Sequence, residues 1–247
     1  SELSELTLAL QCGGSDSYSG ITANPALGFA SDLLVQYGGS TILSETPEIY
    51  GAEHLLIDRA LKESDIKKLI NQIKWWKNYT QINGGSLDNN PSPGNKKGGL
   101  TTILEKSLGA VAKSGNSTMI NVLDYAEKIS EKGFHFMDSP GYDPVSVTGQ
   151  VASGSNLICF TTGRGSCFGF KPTPSLKISS NTNMYNNLEE DMDINAGTIM
   201  DGIHSIEEIG TKIFNELIEV ASGKKTKSEI NEYGDDEFNP WVIGATM

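Results

Sequence analysis

The chain is poor in the residues that mark several common chemistries. It holds three histidines and three cysteines in 247 residues. An odd number of cysteines (Cys12, Cys159, Cys167) with no paired spacing does not make a disulfide framework and suits a reducing, cytoplasmic setting. Cations are scarce as well. Nineteen Lys and Arg stand against 31 Asp and Glu, for a net charge of −12. Nucleic-acid binding is driven by cations that neutralise phosphates, so nucleic acid is not an expected partner. No apolar run approaches the roughly 20 residues that cross a bilayer. The first residues lack the charged-then-apolar plan of a signal peptide. No membrane partner is therefore expected.

Familiar catalytic templates are missing too. No His-Glu-x-x-His and no Gly-x-Ser-x-Gly occurs. Gly94 to Gly99 lacks the Gly-Lys-Ser/Thr of a phosphate loop. Gly163-Arg164-Gly165 has Phe168 where a dinucleotide fingerprint needs its third glycine. Asp191-Met192-Asp193-Ile194-Asn195 starts like a calcium loop. It then places Ala196 at the required glycine and Gly202 at the bidentate glutamate.

What is present alternates between short apolar runs and helical spacing. Leu6–Leu10, Ser40–Ser44, Gly133–Met137 and Leu157–Phe160 read as strands, the last fully apolar, as suits a parallel strand buried on both faces. Pro25–Tyr37 reads as a helix with Asn24 as N-cap. Glu53–Leu61, Ser64–Tyr79 (N-cap Ser64), Leu100–Lys113 and Ser205–Ala221 also carry helical spacing. Residues 82–99 read as a long Gly/Asn/Pro loop. This order predicts a Rossmann-like, doubly wound α/β fold with a mostly parallel sheet and helices on both faces. Residues 1–223 form that domain. Residues 224–247 form an extended tail whose Trp241 docks on the body or on a neighbouring subunit. A chain that enters its first strand almost at once has the look of a domain cut from a longer polypeptide.

In such folds ligands sit on the loops beyond the carboxyl ends of the strands. Four polar loops follow the strands: 11–16, 45–48, 138–143 and 161–165. Arg164 is the most informative cation, able to grip a carboxylate bidentately or to tie loops together. Residues 90–99, with Asn95 and Lys96, form either an anion site and lid or a plain surface loop. Glu45, Glu48, Glu53 and His54 could hold a divalent metal, act as acid and base, or simply crowd a helix start. Cys12 reads as a small buried cysteine more readily than as a low-pKa thiolate. Asp16 is the better ligand or base candidate in that loop. His135 reads as core.

The same loops resemble one family. Gln11-Cys12-Gly13-Gly14-Ser15-Asp16, Ser19 to Ala26, Asn90 to Gly99, Phe160 to Gly165 and Met192 to Gly197 are similar to the galactarate/altronate dehydratase family. Ser44 to His54 and Pro140-Gly141-Tyr142-Asp143-Pro144 look more like its altronate branch. The likeness runs from about Leu6 to Gly223. It implies a hydro-lyase that turns D-altronate into 2-keto-3-deoxy-D-gluconate in hexuronate catabolism, with galactarate as the alternative substrate. A non-catalytic module for sugar-acid binding or subunit contact is the competing class. The resemblance also implies a divalent metal, Fe2+ or Mn2+, and a homo-oligomer is a further expectation. The metal's ligands are not identified, and some are expected in the family's N-terminal and middle segments, so this part alone is expected to lack a complete site. Within the loops, His54, Glu45 and Asp16 become the catalytic candidates. Arg164 and Lys96 would clamp the substrate carboxylate, and Asn24, Ser15, Thr162 and Asn95 would bind or orient the sugar acid.

Overall fold

The computed structural model describes residues 2–87 and 91–244. Asn90, the first residue of the Asn/Pro/Gly loop, and the last three tail residues lie outside them. Seven strands form one sheet: β1 (Thr7–Cys12), β2 (Ser40–Leu43), β3 (Met119–Leu123), β4 (Phe134–Met137), β5 (Leu157–Thr162), β6 (Ser175–Ser179) and β7 (Ile194–Asn195). Their order is β3-β4-β2-β1-β5-β6-β7, and every pairing is parallel. The chain builds one half outward from β1, then returns to lay β5 on the other side of β1. That reversal is where a doubly wound sheet opens a crevice for ligands.

Side-chain alternation assigns the two faces. Leu8 and Leu10 of β1 join Leu43, Leu176 and Ile178 in the main core. They pack on helices α1 (Ala23–Gln36) and α8 (Ile206–Ala221). Ala9 turns the other way, with Ile158 and Phe160, onto Val147 of α6 (Asp143–Ser153). Helix α8 buries Ile209, Ile213, Phe214, Leu217 and Val220, a stripe at helical spacing. Each such apolar side chain contributes about 1.5–3 kcal/mol on burial. Ser205 and Glu208 close its first turn as a capping box.

Several boundaries differ from the expectation. Helix α1 starts at Ala23 after Thr22, so Asn24 is not the N-cap. Its side chain is spent elsewhere: Nδ2 donates to the Gly109 carbonyl and Oδ1 accepts from Thr161. Helix α3 (Glu63–Ile82) takes Lys62 as the capping position, and Ser64 falls inside its first turn. The helix expected over 53–61 is the single turn α2 (His54–Ile57); the chain then leaves it for a bridge between Ala60 and Met119. The long loop contains a short helix, α4 (Pro93–Lys97), capped by Ser92 and Asn95. Helix α5 spans Ile103–Ala112. In the tail, a turn of helix, α9 (Lys227–Ile230), precedes Trp241. That indole stacks on Trp76 of the same chain, with centroids 5.2 Å apart and planes 7° from parallel. Among the described residues no helix is long and apolar enough to cross a membrane.

Candidate functional site

The carboxyl ends of β1, β2 and β4 bring together a buried cluster of charge. Strand β1 ends in Cys12, at its sheet-switch position. After β2 the chain passes Ser44 and Glu45 into a tight turn, Thr46–Ile49, that carries Glu48. Helix α5 supplies Lys106, and Lys113 caps its end. All five of these side chains are buried. Asp143, the first residue of α6, lies against Gly13, just past the end of β1.

The contacts are close. Lys106 Nζ lies 2.6 Å from Glu48 Oε1. Lys113 Nζ donates to Cys12 Sγ at 2.9 Å. Cys12 Sγ stands 3.9 Å from Glu48 Oε2. Donor atoms of Cys12, Glu45 and Glu48 all lie within 4.8 Å of one another.

Glu45 is the unusual member. It is 1% exposed, and neither carboxylate oxygen has a hydrogen-bond partner among the described residues. Its backbone sits at φ 76°, ψ 70°, the left-handed region that a residue with a side chain adopts at a cost. Such an arrangement persists only where its neighbours over-determine it. Here the Glu45 amide donates to Ser139 Oγ, and the Thr46 amide donates to the Ser139 carbonyl. Below them lies a polar network. Gln11 Nε2 donates to Ser44, Ser146 and Gln150, and Ser139 donates to Ser146.

The charges do not balance. Three carboxylates and a thiol face two ammonium groups. Burial, then the neighbouring Glu48, holds the Glu45 carboxyl well above the usual range, against the pull of Lys113. Burial and Glu48 likewise push Asp143 up to about 7. Burial alone would lower both lysines, but the surrounding anions outweigh it and hold them above their ordinary value. Two carboxylates and a sulfur, with a net deficit of positive charge, form a donor set that could hold a metal ion. The two orphaned oxygens of Glu45 are what a cation there would satisfy.

A cleft of about 240 Å³, lined by Cys12, Ser15, Asp16, Asn24 and Lys106 among others, leads from this cluster to the surface. Several expected residues lie along it in different states. The Asp16 carboxylate is fully engaged, accepting from the Ser19 amide and hydroxyl, from Ser180 and from Asn181. It organises the loop rather than standing ready as a base. Asn95 Nδ2 donates to the Ser15 carbonyl, which ties α4 to the β1 loop. Lys96, the next residue, is exposed. Thr162 is buried, and its hydroxyl accepts from the Gly165 amide.

Arg164 is exposed, and its side chain makes no ion pair or hydrogen bond among the described residues. Its guanidinium lies against Gly94. A Cβ there would stand 2.1 Å from Nη1, so the glycine is what lets α4 and Arg164 meet. His54 is exposed at the start of α2 and makes no hydrogen bond to the cluster. Lys106, Lys113 and Asp143 were absent from the candidates read from sequence. One signal was available: the two lysines are seven residues apart, two helical turns, on the same face as buried Ala110.

Comparison with known proteins adds an independent finding. A family model described as D-galactarate/altronate dehydratase, C-terminal, matches residues 3–246. Galactarate dehydratase (L-threo-forming) of Escherichia coli K12 is 46% identical over 222 residues, covering 90% of this chain and 42% of that protein. Altronate dehydratase of Bacillus subtilis 168 is 42% identical over 247 residues, covering 99% and 49%. Altronate dehydratase of Escherichia coli K12 is 39% identical over 233 residues, covering 94% and 46%. The chain thus spans about half the length of the relatives it matches.

Proposed function

The chain belongs to the D-galactarate/altronate dehydratase family, and from that premise we propose that its β1–β2–β4 edge forms the charge-handling part of a sugar-acid dehydratase site, with D-altronate as first substrate and galactarate as alternative. The observation that carries the reading is Glu45: a buried carboxylate whose oxygens have no hydrogen-bond partner among the described residues, held in a strained backbone beside Glu48 and Cys12.

The reaction sets the demands. A proton leaves the carbon beside the substrate carboxylate, hydroxide leaves the next carbon, and the resulting enol becomes the 2-keto acid. Net loss is one water. Arg164, exposed and without an ion pair or hydrogen bond among the described residues, binds the substrate carboxylate bidentately, assisted by the exposed Lys96. Asp143, whose carboxyl is pushed up to about 7, exchanges a proton at neutral pH, the condition for efficient acid–base work. Lys106 and Lys113 hold Glu48 and Cys12 in place and offset negative charge. Glu45, Glu48 and Cys12 would hold a divalent Fe2+ or Mn2+ ion, and such an ion stabilises the charge that builds on the enediolate.

The test is formation of 2-keto acid from D-altronate and from galactarate by the polypeptide that carries this sequence, supplied with Fe2+ or Mn2+. Product from altronate is expected, with Arg164→Ala raising KM while the melting temperature stays put. Product from galactarate alone would reverse the substrate order. Binding of both acids without product would support a non-catalytic binding module instead.

A further inference from the structure

The strained Glu45 is gripped from one side by two adjacent residues at the end of β4. Ser139 takes the amides of Glu45 and Thr46. Asp138 Oδ1 takes the Thr46 hydroxyl. The same oxygen accepts the indole N–H of Trp76 at 2.7 Å. Trp76 is fully buried on α3 and lies under Trp241 of the tail. Trp241 also meets Tyr125 edge-on, at 5.5 Å. A continuous chain of contacts therefore runs from the tail, through one aspartate oxygen, to the residue next to Glu45.

We propose that Asp138 is a positioning residue for the site: through Thr46 it locks Glu45 in its left-handed backbone so that the carboxylate faces Glu48 and Cys12, and Trp76, closed over by Trp241, fixes Asp138 in turn. The inference rests on the reading that Glu45 and Glu48 are cation donors. The physical argument is one of compensation. The left-handed backbone of Glu45 is unfavourable, and its carboxylate has no hydrogen-bond partner among the described residues. The hydrogen bonds of its own amide and of Thr46 hold it there. Release of the Thr46 hydroxyl lets the turn relax and withdraws the carboxylate from the cluster. Groups that orient metal-binding side chains from behind commonly change metal affinity by about 10–100-fold when removed.

The experiment is a Mn2+ titration of the chain followed by the electron paramagnetic resonance signal of free Mn2+, with Thr46→Val, Thr46→Ser and Trp76→Phe beside the wild type. Val keeps the shape of Thr and loses the hydroxyl; Ser keeps the hydroxyl. Thr46→Val is expected to weaken Mn2+ binding about tenfold or more, Thr46→Ser to stay within about twofold of wild type, and Trp76→Phe to fall between. Amide exchange at Glu45 and Thr46 without metal, read by mass spectrometry, is expected to quicken in Thr46→Val and not in Thr46→Ser. Equal Mn2+ affinity in wild type and Thr46→Val overturns the proposal, as does an equal loss in the Val and Ser variants. If the wild type binds no Mn2+, the cation reading fails by itself, and unchanged exchange at Glu45 in Thr46→Val then overturns the positioning role separately.

Discussion

Replacing Glu45 by methionine should make the metal-free protein more stable. The side chain is 1% exposed, and both its oxygens lack hydrogen-bond partners among the described residues. A buried, unsatisfied polar group costs about 1–3 kcal/mol, and methionine fills similar space without oxygens. A gain near 2 kcal/mol corresponds to a rise in Tm of about 4–8 °C for a domain of this size. The sign depends on pH. The Glu45 carboxyl is raised well above its ordinary value, chiefly by burial, so the native state holds its proton more tightly than the unfolded chain does. Stability from that group is present below the unfolded value and is lost as pH rises toward the folded value. The advantage of Glu45→Met is therefore small near pH 4 and larger at pH 8. A cation reverses the ranking. At about 100 times its Kd, Mn2+ adds about 2.7 kcal/mol to the wild type, or about 5–11 °C, and adds little to the variant. Thermal melts at three pH values, with EDTA and with Mn2+, read all of this. A variant less stable than wild type in EDTA at pH 8 would refute the reasoning, because it would mean that Glu45 is satisfied within the fold.

Other substitutions test the supporting parts. Gly13→Ala places a Cβ 2.2 Å from Asp143 Oδ2 and 2.6 Å from Phe160 Cζ; urea unfolding should show a loss of about 1–3 kcal/mol. Asn24→Ala removes two hydrogen bonds at a buried position and should cost about 2–3 kcal/mol, which marks Asn24 as a framework residue. Lys106→Met removes the buried ammonium that pairs with Glu48 and should cost about 3–5 kcal/mol, most of it recovered in the double variant with Glu48→Gln.

The strands that the sequence discloses are those whose burial is written in apolar residues. β5 is an example, with Leu157, Ile158 and Phe160. β6 is equally buried but reads Ser-Leu-Lys-Ile-Ser. Its central Lys177 donates to the Ser166 carbonyl and lies over the ring of Tyr233, much further along the chain. Helix α6 escapes notice for a related reason: Val145, Val147 and Thr148 are β-branched and favour strands. At the site, the order of strands and polar loops was enough to place the β1, β2, β4 and β5 loops on one edge. The roles within them were not legible. Asp16 looks like a free base in sequence, and residues more than 160 positions away, Ser180 and Asn181, consume its carboxylate. Glu45 looks like one more acidic helix start, and only the fold shows that its oxygens face other donors rather than water. Lys106 and Lys113 gain meaning only from Glu48 and Cys12, far away in the chain.

The most direct measurement is a diffraction map at the manganese absorption edge, from crystals of the protein grown with Mn2+. The account predicts one strong anomalous peak bounded by the carboxylates of Glu45 and Glu48 and the sulfur of Cys12. A peak elsewhere, or none while the Glu45 oxygens still lack a partner, would contradict it.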